Sequence, residues 1–523
     1  MTNTTPDRFY DFIGFGDEVP GILTLVSAAR EYRRRVGSYP KTLLILKGNS
    51  QQGIGGHLVR GGLAYLDRSN IPLQIRQTLG LETYGLSSAL YQEFLQKTGV
   101  IQVALDPRKA DAVLRQMLRD AQIDTLSRVE IGLVLKEGQK LVGIQLTKGE
   151  IYRGKQFLDA TVNAELAQAA GVPKLSGFGV LGLPKSELPV TLVFETEGLS
   201  IDRLRRVEAE YLKRFKNPAD REAQAFFNIA TNGDTALATQ LRNDLVDAAG
   251  KPKPMWVGSD YIDVRTKALS IAYHAFRNTK LSLTESPAIL DNGNVAILSG
   301  GRLSWNALLH ATTGSEAEDL ARSGAKPTAL MLEEMTFIEQ WFKSIGASAV
   351  RSAPELYIRH AGNVAGAVDP LSGADMLLGG VPDKEALGTF GYPFDIRGGI
   401  TGLGRKAANK GFNQTHFKPP LFNIGMRHAL LKTVPNLAVV SPAADFEGIA
   451  CATGRIVEFN VAVGQAVGIA MAIAQLANRN LSEISNTEVR SVLAQTKRLP
   501  KIYGRADAIE ATRLRDFEKQ IIA

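Results

Sequence analysis

The first fifty residues place apolar runs and a helical apolar stripe in the order of a strand–helix–strand unit. Phe9 to Ile13 is an apolar run that predicts a buried strand. Thr42 to Leu46, "TLLIL", is a second run of the kind found in buried parallel strands. Between them an apolar stripe at helical spacing predicts an amphipathic helix, through Ile22, Leu25, Val26 and Ala29. The pattern therefore predicts a βαβ unit.

A second block has the pattern of a helix followed by three short strands. Asp106 and Pro107 provide a helix cap and a proline for the first turn. Apolar positions then alternate over residues 129–135 and again in "LVGIQL", on either side of the turn sequence "KEGQK". A short apolar strand in "KQFLDAT" ends the block. This order predicts a β-meander.

The remainder of the chain divides by pattern into a less regular middle and a return to the first style. Residues 174–435 combine strand-like "PVTLVFET" with helical stretches, which predicts a separate α+β domain. "NLAVVS" then resumes the buried-strand pattern, and an apolar helix follows from about Val461. We expect an α/β fold with a Rossmann-like domain from residues 7–173 and 436–480. Residues 174–435 would be inserted into it, and 481–523 would form a helical tail.

Composition adds limits on the class of protein. A chain of 523 residues that is 44% apolar is long enough for two or three domains. The net charge of +8 is modest for this length, and no aromatic-basic pattern accompanies it, so nucleic acid is not expected as a partner. The single cysteine, Cys451, excludes an internal disulfide and fits a reducing compartment, so we expect a cytoplasmic protein.

We expect neither a secretory signal nor a membrane-spanning segment. The amino terminus is polar and lacks the charged-then-apolar order of a secretory signal. The run from Val461 to Ala477 contains two glutamines and is short for a membrane span, so a buried helix is expected instead.

Glycines follow the first predicted strand, where a dinucleotide site would require them. A diphosphate needs backbone N–H groups and a helix N-terminus without intervening side chains, and Gly14 and Gly16 meet that need. Gly21 comes later than the third glycine of G-x-G-x-x-G counted from Gly14, which predicts a turn longer by two residues. Asp17 and Glu18 also bring carboxylates to the phosphate position. A nucleotide site and an ordinary strand–turn–helix corner both fit this turn.

Five stretches, in order, resemble one family. They are "FIGFGDEVPGILTLVSAAR", "GIGGHLVRGGL", "LDPRKADAVLRQML" with "FLDATVNAELAQAAGVP", "ELYIRHAGNVAGAVDPLSGADML" with "GYPFDIRGG", and "NLAVVSPAADFEGIACATGRIVEFNVAVGQAVGIAMAIA". Together they resemble the FAD-dependent oxidoreductases of the two-dinucleotide-binding-domain type. That group is related to fumarate reductase flavoproteins and thiazole-synthesis-like enzymes. The resemblance covers about Tyr10 to Ala477.

The resemblance implies FAD as the cofactor and a set of residues to bind it. These are Gly14, Gly16, Gly21, Gly55, Gly56, His57, Asp159, Arg455, Gly464 and Gln465. In the segments that would bind FAD, the chain departs from the family at three places. Lys47 replaces the acid that usually receives the ribose hydroxyls, Val162 replaces a glycine, and Ser441-Pro442 replaces Gly-Arg.

The catalytic candidates implied by the resemblance are Arg359, His360 and Asp395. An arginine binds a carboxylate bidentately and a histidine moves protons near neutral pH. A structural ion pair fits the first two equally well, and a turn residue fits Asp395. No metal site is expected, because the histidines show no ligand spacing.

The implied activity is transfer of a hydride between a small or medium organic substrate and flavin N5. The electron acceptor and the oligomeric state stay open. The departures from the family motifs leave a redox-inactive binding or scaffold protein as one alternative. The positive charge leaves a tRNA-modifying flavoprotein as another.

Overall fold

The computed structural model describes residues 8–412 and 415–523. The strands are β1 Arg8–Phe15, β2 Thr42–Leu46, β3 Ile123–Ser127, β4 Ile131–Glu137, β5 Lys140–Leu146, β6 Ile151–Asp159, β7 Lys174–Leu175, β8 Val190–Thr191, β9 Phe194–Glu197, β10 Trp256–Val257, β11 Tyr261–Asp263, β12 Ile289–Leu298, β13 Arg302–His310, β14 Ala349–Ser352, β15 Asn363–Val364, β16 Leu371–Ser372, β17 Thr389–Gly391, β18 Leu421–Asn423, β19 Leu437–Val439 and β20 Phe446–Glu447.

The α-helices occur between and after these strands. They are α1 Val19–Val36, α2 Gly56–Val59, α3 Leu73–Leu79, α4 Ala89–Thr98, α5 Pro107–Asp120, α6 Glu165–Ala169, α7 Ile201–Lys216, α8 Arg221–Thr231, α9 Thr235–Asp244, α10 Ala268–Arg277, α11 Gly314–Arg322, α12 Ala329–Ser344, α13 Gly373–Leu377, α14 Leu403–Asn409, α15 Cys451–Gly454, α16 Val457–Ala477, α17 Asn486–Gln495 and α18 Ala508–Ile522.

The first sheet is parallel around β1 and ends in an antiparallel meander. Its strand order is β3-β2-β1-β6-β5-β4, and β19 also pairs with β6. The pairs β1–β2, β1–β6, β2–β3 and β6–β19 are parallel, whereas β4–β5 and β5–β6 are antiparallel. The predicted α/β class, with a Rossmann-like parallel sheet and a β-meander, is confirmed. Continuous apolar runs such as "TLLIL" suit this sheet because helices cover its central strands.

A second, antiparallel sheet forms the centre of the middle region. Its order is β10-β11-β12-β13-β9-β14, with β8 also pairing with β13. The buried residues of its core fall between Val190 and Ala361. Buried residues from Val364 to Val434 pack instead into the core of the first sheet. The domain division at residues 174 and 435 stays a prediction. The chain passes from the first core to the second at about residue 190 and returns to the first at about residue 361.

Helices α1 and α16 pack against each other at glycines. A Cβ added to Gly464 would lie 2.3 Å from Thr24 Oγ1, and one added to Gly468 would lie 2.4 Å from the backbone oxygen of Thr24. The Ser27 hydroxyl donates to the backbone oxygen of Gln465 at 2.8 Å. These glycines therefore set the distance between the two helix backbones.

Among the described residues, α16 is the one helix long and apolar enough to cross a membrane. Its most apolar window is 83% buried inside the protein. It forms part of the first core, where it packs on α1.

The carboxyl-terminal helix α18 packs onto the first core through a buried acid. The Glu518 carboxylate accepts a hydrogen bond from the Ile449 amide at 2.8 Å. Burial raises the pKa of Glu518 to about 7, more than this hydrogen bond lowers it. The tail is thereby joined to the loop that leads into α15.

We expect Gly468→Ala to destabilise the protein by about 1 to 3 kcal/mol, because the added methyl group meets backbone atoms of α1. Gly404→Ala in α14 is the matched control, since a Cβ there meets nothing within 4 Å. That variant should change stability by no more than about 1 kcal/mol. Urea unfolding of both variants measures the difference, and equal effects would contradict the close packing of α1 and α16.

Candidate functional site

The turn after β1 has the spacing of a dinucleotide fingerprint once its register is read from the structure. Strand β1 continues through Gly14, which pairs with Leu44 of β2, and α1 begins at Val19. The predicted lengthening of the turn is therefore wrong. Gly16 and Gly21 stand at the first and third glycine positions of G-x-G-x-x-G, and Glu18 occupies the second.

Gly16 and Gly21 allow the turn to approach the end of β6. A Cβ on Gly21 would lie 2.1 Å from the Ala160 Cβ, and one on Gly16 would lie 2.7 Å from the Ala160 carbonyl carbon. Gly16 also has φ of 95°, a left-handed conformation that favours glycine. Both positions thus perform the packing role of the fingerprint glycines.

Asp17 forms a buried ion pair beneath the loop that follows β2. Its Oδ1 accepts a hydrogen bond from Arg60 Nη2 at 2.8 Å, and Arg60 Nη1 binds its Oδ2. The Gly55 and Gly56 amides donate to the same Oδ2 at 3.0 and 3.4 Å. Burial opposes ionisation of Asp17, but Arg60 and the two amides outweigh it and lower the pKa of this carboxyl. Asp17 is therefore a fixed anion.

Glu18 places a second carboxylate on the same loop. It accepts a hydrogen bond from the His57 amide at 3.2 Å and pairs with His57 Nδ1. A Cβ on Gly56 would lie 2.3 Å from Glu18 Oε1, so the carboxylate lies directly against that glycine. The His57 ring stacks on Tyr357 with centroids 4.9 Å apart. We call Asp17 and Glu18 together the anionic turn.

A basic cavity of about 720 Å³ lies beside the anionic turn. Five cationic side chains line it, against two acids: Lys47, Arg128, Lys148, Arg322 and Lys326, with Glu130 and Glu355. Lys47 pairs with Glu165 at 2.7 Å and donates to the Arg322 backbone oxygen at 2.8 Å. The adjoining cavity, lined by Gly16, Asp17, Glu18 and Arg60, measures only about 80 Å³.

Glu355 connects the loop to the segment that leads out of the second sheet. Its Oε1 accepts a hydrogen bond from Arg60 Nε at 2.7 Å. Burial raises the pKa of Glu355 to about 7, although Arg60 opposes the rise. Arg60 therefore joins the anionic turn to Glu355.

A second group of polar side chains meets around Arg455. Arg455 Nη1 donates to the Tyr357 hydroxyl at 2.9 Å, and Nη2 donates to Asp395 Oδ2 at 2.6 Å. Its Nε is buried and finds no hydrogen-bond partner in residues 8–412 and 415–523. Burial raises the pKa of Asp67, and the hydroxyl of Tyr392 donates to that carboxylate. We call Asp67, Tyr357, Tyr392, Asp395 and Arg455 the polar cluster.

The two partners of the ion pair in the polar cluster differ in exposure. The Asp395 side chain is 33% exposed, whereas that of Arg455 is 2% exposed. Burial and the nearby Asp67 and Asp395 carboxylates raise the pKa of Tyr392 well above its ordinary value. The cluster thus combines an orphaned donor, an accessible carboxylate and a neutral tyrosine.

The predicted catalytic residues occupy three different settings. Asp395 lies in the polar cluster. Arg359 is 1% exposed, donates to the Pro189 backbone oxygen at 2.8 Å, and lies over the Tyr357 ring at 4.6 Å. His360 is fully buried in a different network, with its ring nitrogens 2.8 Å from Glu187 and 2.8 Å from Asn363.

The predicted cofactor-binding residues also separate into groups. The structure brings Gly16, Gly55, Gly56 and His57 together around the anionic turn, while Arg455 lies in the polar cluster. The others are involved in packing or turn contacts: Gly14 in β1, Gly21 against Ala160, Gly464 against α1, Gln465 accepting from the Leu90 amide at 2.8 Å, and Asp159 accepting from the Thr161 and Ala167 amides at 2.9 and 2.8 Å.

Sequence reasoning missed Arg60, Asp67, Tyr357 and Tyr392. Arg60 lies four residues after Gly56 in "GIGGHLVRGGL". Since the resemblance places this stretch and Asp17 at the same site, a cation near Asp17 could have been predicted. Tyr357 and Tyr392 lie in two of the stretches that resemble the family, but only the fold brings them to Arg455 and Asp67. In the described parts of the chain, no group of three or more His, Cys, Asp or Glu side chains is placed to hold a metal ion.

Comparison with known proteins decides the family. A sequence profile described as FAD dependent oxidoreductase matches residues 34–493. This chain belongs to the FAD-dependent oxidoreductase family. The match begins after the turn between β1 and α1. No curated protein matches the chain significantly.

Solved structures of flavoproteins are similar to this family member at low sequence identity. A geranylgeranyl bacteriochlorophyll reductase-like protein from Thermoplasma acidophilum has 11% identity and a TM-score of 0.40, covering 99% of this chain and 89% of that chain. L-proline dehydrogenase from P. horikoshii has 11% identity and a TM-score of 0.35, covering 95% of this chain and 100% of that chain.

FAD is the cofactor of this oxidoreductase family, and the site fits it unevenly. The orphaned Arg455 Nε fits an acceptor atom such as a flavin ring oxygen. The basic cavity beside Lys47 has room for an adenosine moiety. At the fingerprint turn, however, two carboxylates stand at the helix N-terminus where a diphosphate would bind, and they already accept hydrogen bonds from the loop amides and Arg60. As these residues stand, the turn does not fit a diphosphate.

We expect Asp17→Asn to lower the free energy of unfolding of this FAD-dependent oxidoreductase by about 3 kcal/mol, because Arg60 loses its buried counter-charge. Glu339→Gln is the control, since its pair with Lys343 is exposed and should contribute less than about 1 kcal/mol. Urea denaturation at pH 7 compares the two. A small effect at Asp17 would show that this pair does not hold the loop.

Stability should also depend on the charge of Glu355. Its folded-state pKa of about 7 lies above the ordinary value of 4.5, so the folded protein binds the proton more tightly. The free energy of unfolding should therefore fall as pH rises from about 4.5 to above 7, by about 1 to 3 kcal/mol from this group. Urea titrations at pH 5 and 8 should show a smaller fall for Glu355→Gln. An equal fall in both proteins would contradict the assignment.

Proposed function

We propose that the protein is an oxidoreductase in which a hydride moves between a small or medium organic substrate and flavin N5. Membership of the FAD-dependent oxidoreductase family supports a flavin redox role. The observation that carries the finer proposal is the orphaned Arg455 Nε in the polar cluster, since a buried donor without a protein partner calls for a ligand acceptor.

Arg455 would bind and orient the flavin ring. Tyr357 and Asp395 fix two of its nitrogens, and Nε is left for a ligand. Asp395 is the accessible carboxylate of the cluster and holds or accepts a substrate proton. The Tyr392 hydroxyl donates to the Asp67 carboxylate, and burial holds the proton on that hydroxyl. Bound FAD would supply the two-electron acceptor for the hydride.

Arg359 acts through another residue in this proposal, whereas His360 belongs to a separate buried pair. Arg359 supports the Tyr357 ring from the side of the second core, by a cation–π contact at 4.6 Å. Although burial opposes the charge, Glu187 raises the pKa of His360 well above its ordinary value, as in a structural ion pair. We propose Arg359 as a positioning residue and Asp395 as the catalytic one.

The anionic turn favours a second candidate function, a family member that has lost redox activity and serves as a binding or scaffold protein. Asp17 and Glu18 occupy the donors that would bind the cofactor's phosphates. A member of this kind would keep the fold and its stability without flavin.

Incubation of the full chain with FAD, followed by gel filtration, separates the two candidates. The oxidoreductase retains a flavin absorbance that dithionite bleaches and that one member of a panel of alcohols, amines and amino acids also reduces. A colourless protein after incubation at every FAD concentration would overturn the oxidoreductase proposal and leave the binding or scaffold candidate.

Substitution in the polar cluster tests the assigned roles. We expect Arg455→Met to weaken FAD binding about tenfold, because it removes the orphaned donor and its positive charge. Asp395→Asn should retain FAD and lower the rate of flavin reduction by substrate about 100-fold. Fluorescence titration and anaerobic stopped-flow absorbance measure these effects. Arg427→Met, at a partly exposed pair with Asp369, is the control.

A further inference from the structure

The anionic turn satisfies the same donors that a diphosphate would use. Asp17 accepts hydrogen bonds from the Gly55 and Gly56 amides, and Glu18 accepts one from the His57 amide. Arg60 is fully engaged by Asp17, the Gly53 backbone oxygen and Glu355. Two negative charges of this chain therefore stand where two phosphates would bind.

Glu18 is the residue that departs from the fingerprint. The second glycine of G-x-G-x-x-G has no side chain so that the backbone can approach the diphosphate. Here the carboxylate of Glu18 extends from that position over Gly56. It makes no capping hydrogen bond to α1, although it stands at the N-cap of that helix. The side chain thus contributes to the loop rather than to the helix.

The two carboxylates are held to different degrees. Asp17 is 5% exposed and bound by a bidentate arginine and two amides. The Glu18 side chain is 17% exposed, and the backbone amide and Nδ1 of His57 are its partners. Asp17 therefore belongs to the fixed structure of the loop, whereas Glu18 can rotate out after losing one partner residue.

We propose that Glu18 sets the affinity of this protein for FAD: its carboxylate occupies the diphosphate position in the cofactor-free protein and must leave His57 before the cofactor binds. This inference rests on the proposed oxidoreductase function. Like-charge repulsion and the loss of the His57 contacts both oppose cofactor entry. His57 stacks on Tyr357, which accepts a hydrogen bond from Arg455, so the released histidine adjoins the polar cluster.

The test is FAD binding by the flavin-free full chain, followed by fluorescence quenching, with Glu18→Gly and Glu18→Gln beside the wild type. Glu18→Gly restores the fingerprint glycine and should lower the Kd for FAD about tenfold or more. Glu18→Gln keeps the shape, removes the charge, and should lower the Kd by a smaller factor. Thermal unfolding shows whether each variant is folded. If Glu18→Gly does not fold, the comparison of Glu18→Gln with the wild type carries the test.

Two controls separate charge in general from charge at this position. Glu210→Gln removes one exposed negative charge on α7 and should leave the Kd unchanged. Asp17→Asn removes the charge of the other carboxylate of the turn, but it also breaks the ion pair with Arg60 that orders the loop. We therefore expect no decrease in the Kd for FAD in this variant. A tenfold gain in every variant would overturn the specific role of Glu18.

The outcomes distinguish this inference from the proposed function. Equal FAD affinity in the wild type and both Glu18 variants overturns the role of Glu18 and leaves the oxidoreductase function standing. Absence of FAD binding in all folded variants overturns the oxidoreductase function and the role of Glu18 with it. Tighter binding confined to the Glu18 variants supports both.

Discussion

The buried ion pair between Asp17 and Arg60 fixes the geometry of the whole candidate site. The pair joins the turn after β1 to the Gly55-Gly56 loop. The Nε of Arg60 also donates to Glu355, in the segment that follows β14. Three segments far apart in sequence are thus held by one guanidinium. A buried charge of this kind is stable only while each partner is present, because an unpaired charge in the interior is costly.

The rest of the structure is arranged around that fixed loop. Gly21 and Gly16 bring α1 and its turn against the end of β6, and Gly468 brings α16 against α1. On the other side, His57 stacks on Tyr357, and Tyr357 accepts from Arg455. The anionic turn and the polar cluster are therefore two ends of one continuous set of contacts. At the anionic turn, the protein's own carboxylates accept hydrogen bonds from the loop amides. In the polar cluster, Arg455 Nε has no hydrogen-bond partner among the described residues.

Local pattern was sufficient for the fold class and the first sheet, and insufficient for the domain limits and the site. Strands buried on both faces are continuous apolar runs, and strands buried on one face alternate apolar and polar residues. The parallel strands and the meander could therefore be predicted from sequence. The glycine register was misread, since a strand interior such as Gly14 and a turn such as Gly16 look alike in one sequence. His360 and Arg359 resembled catalytic residues, but their settings depend on Glu187 and Tyr357, which only the fold brings to them. The carboxylates at Asp17 and Glu18 were visible, whereas their capture of the loop amides was not.

Crystallography of the cofactor-free full chain shows whether this protein's own carboxylates fill the diphosphate position. We expect electron density for the Glu18 carboxylate over Gly56, about 3.2 Å from the His57 amide, with Asp17 bound to Arg60. Density showing Glu18 turned into solvent, with water or a buffer anion on the Gly55 to His57 amides, would contradict it.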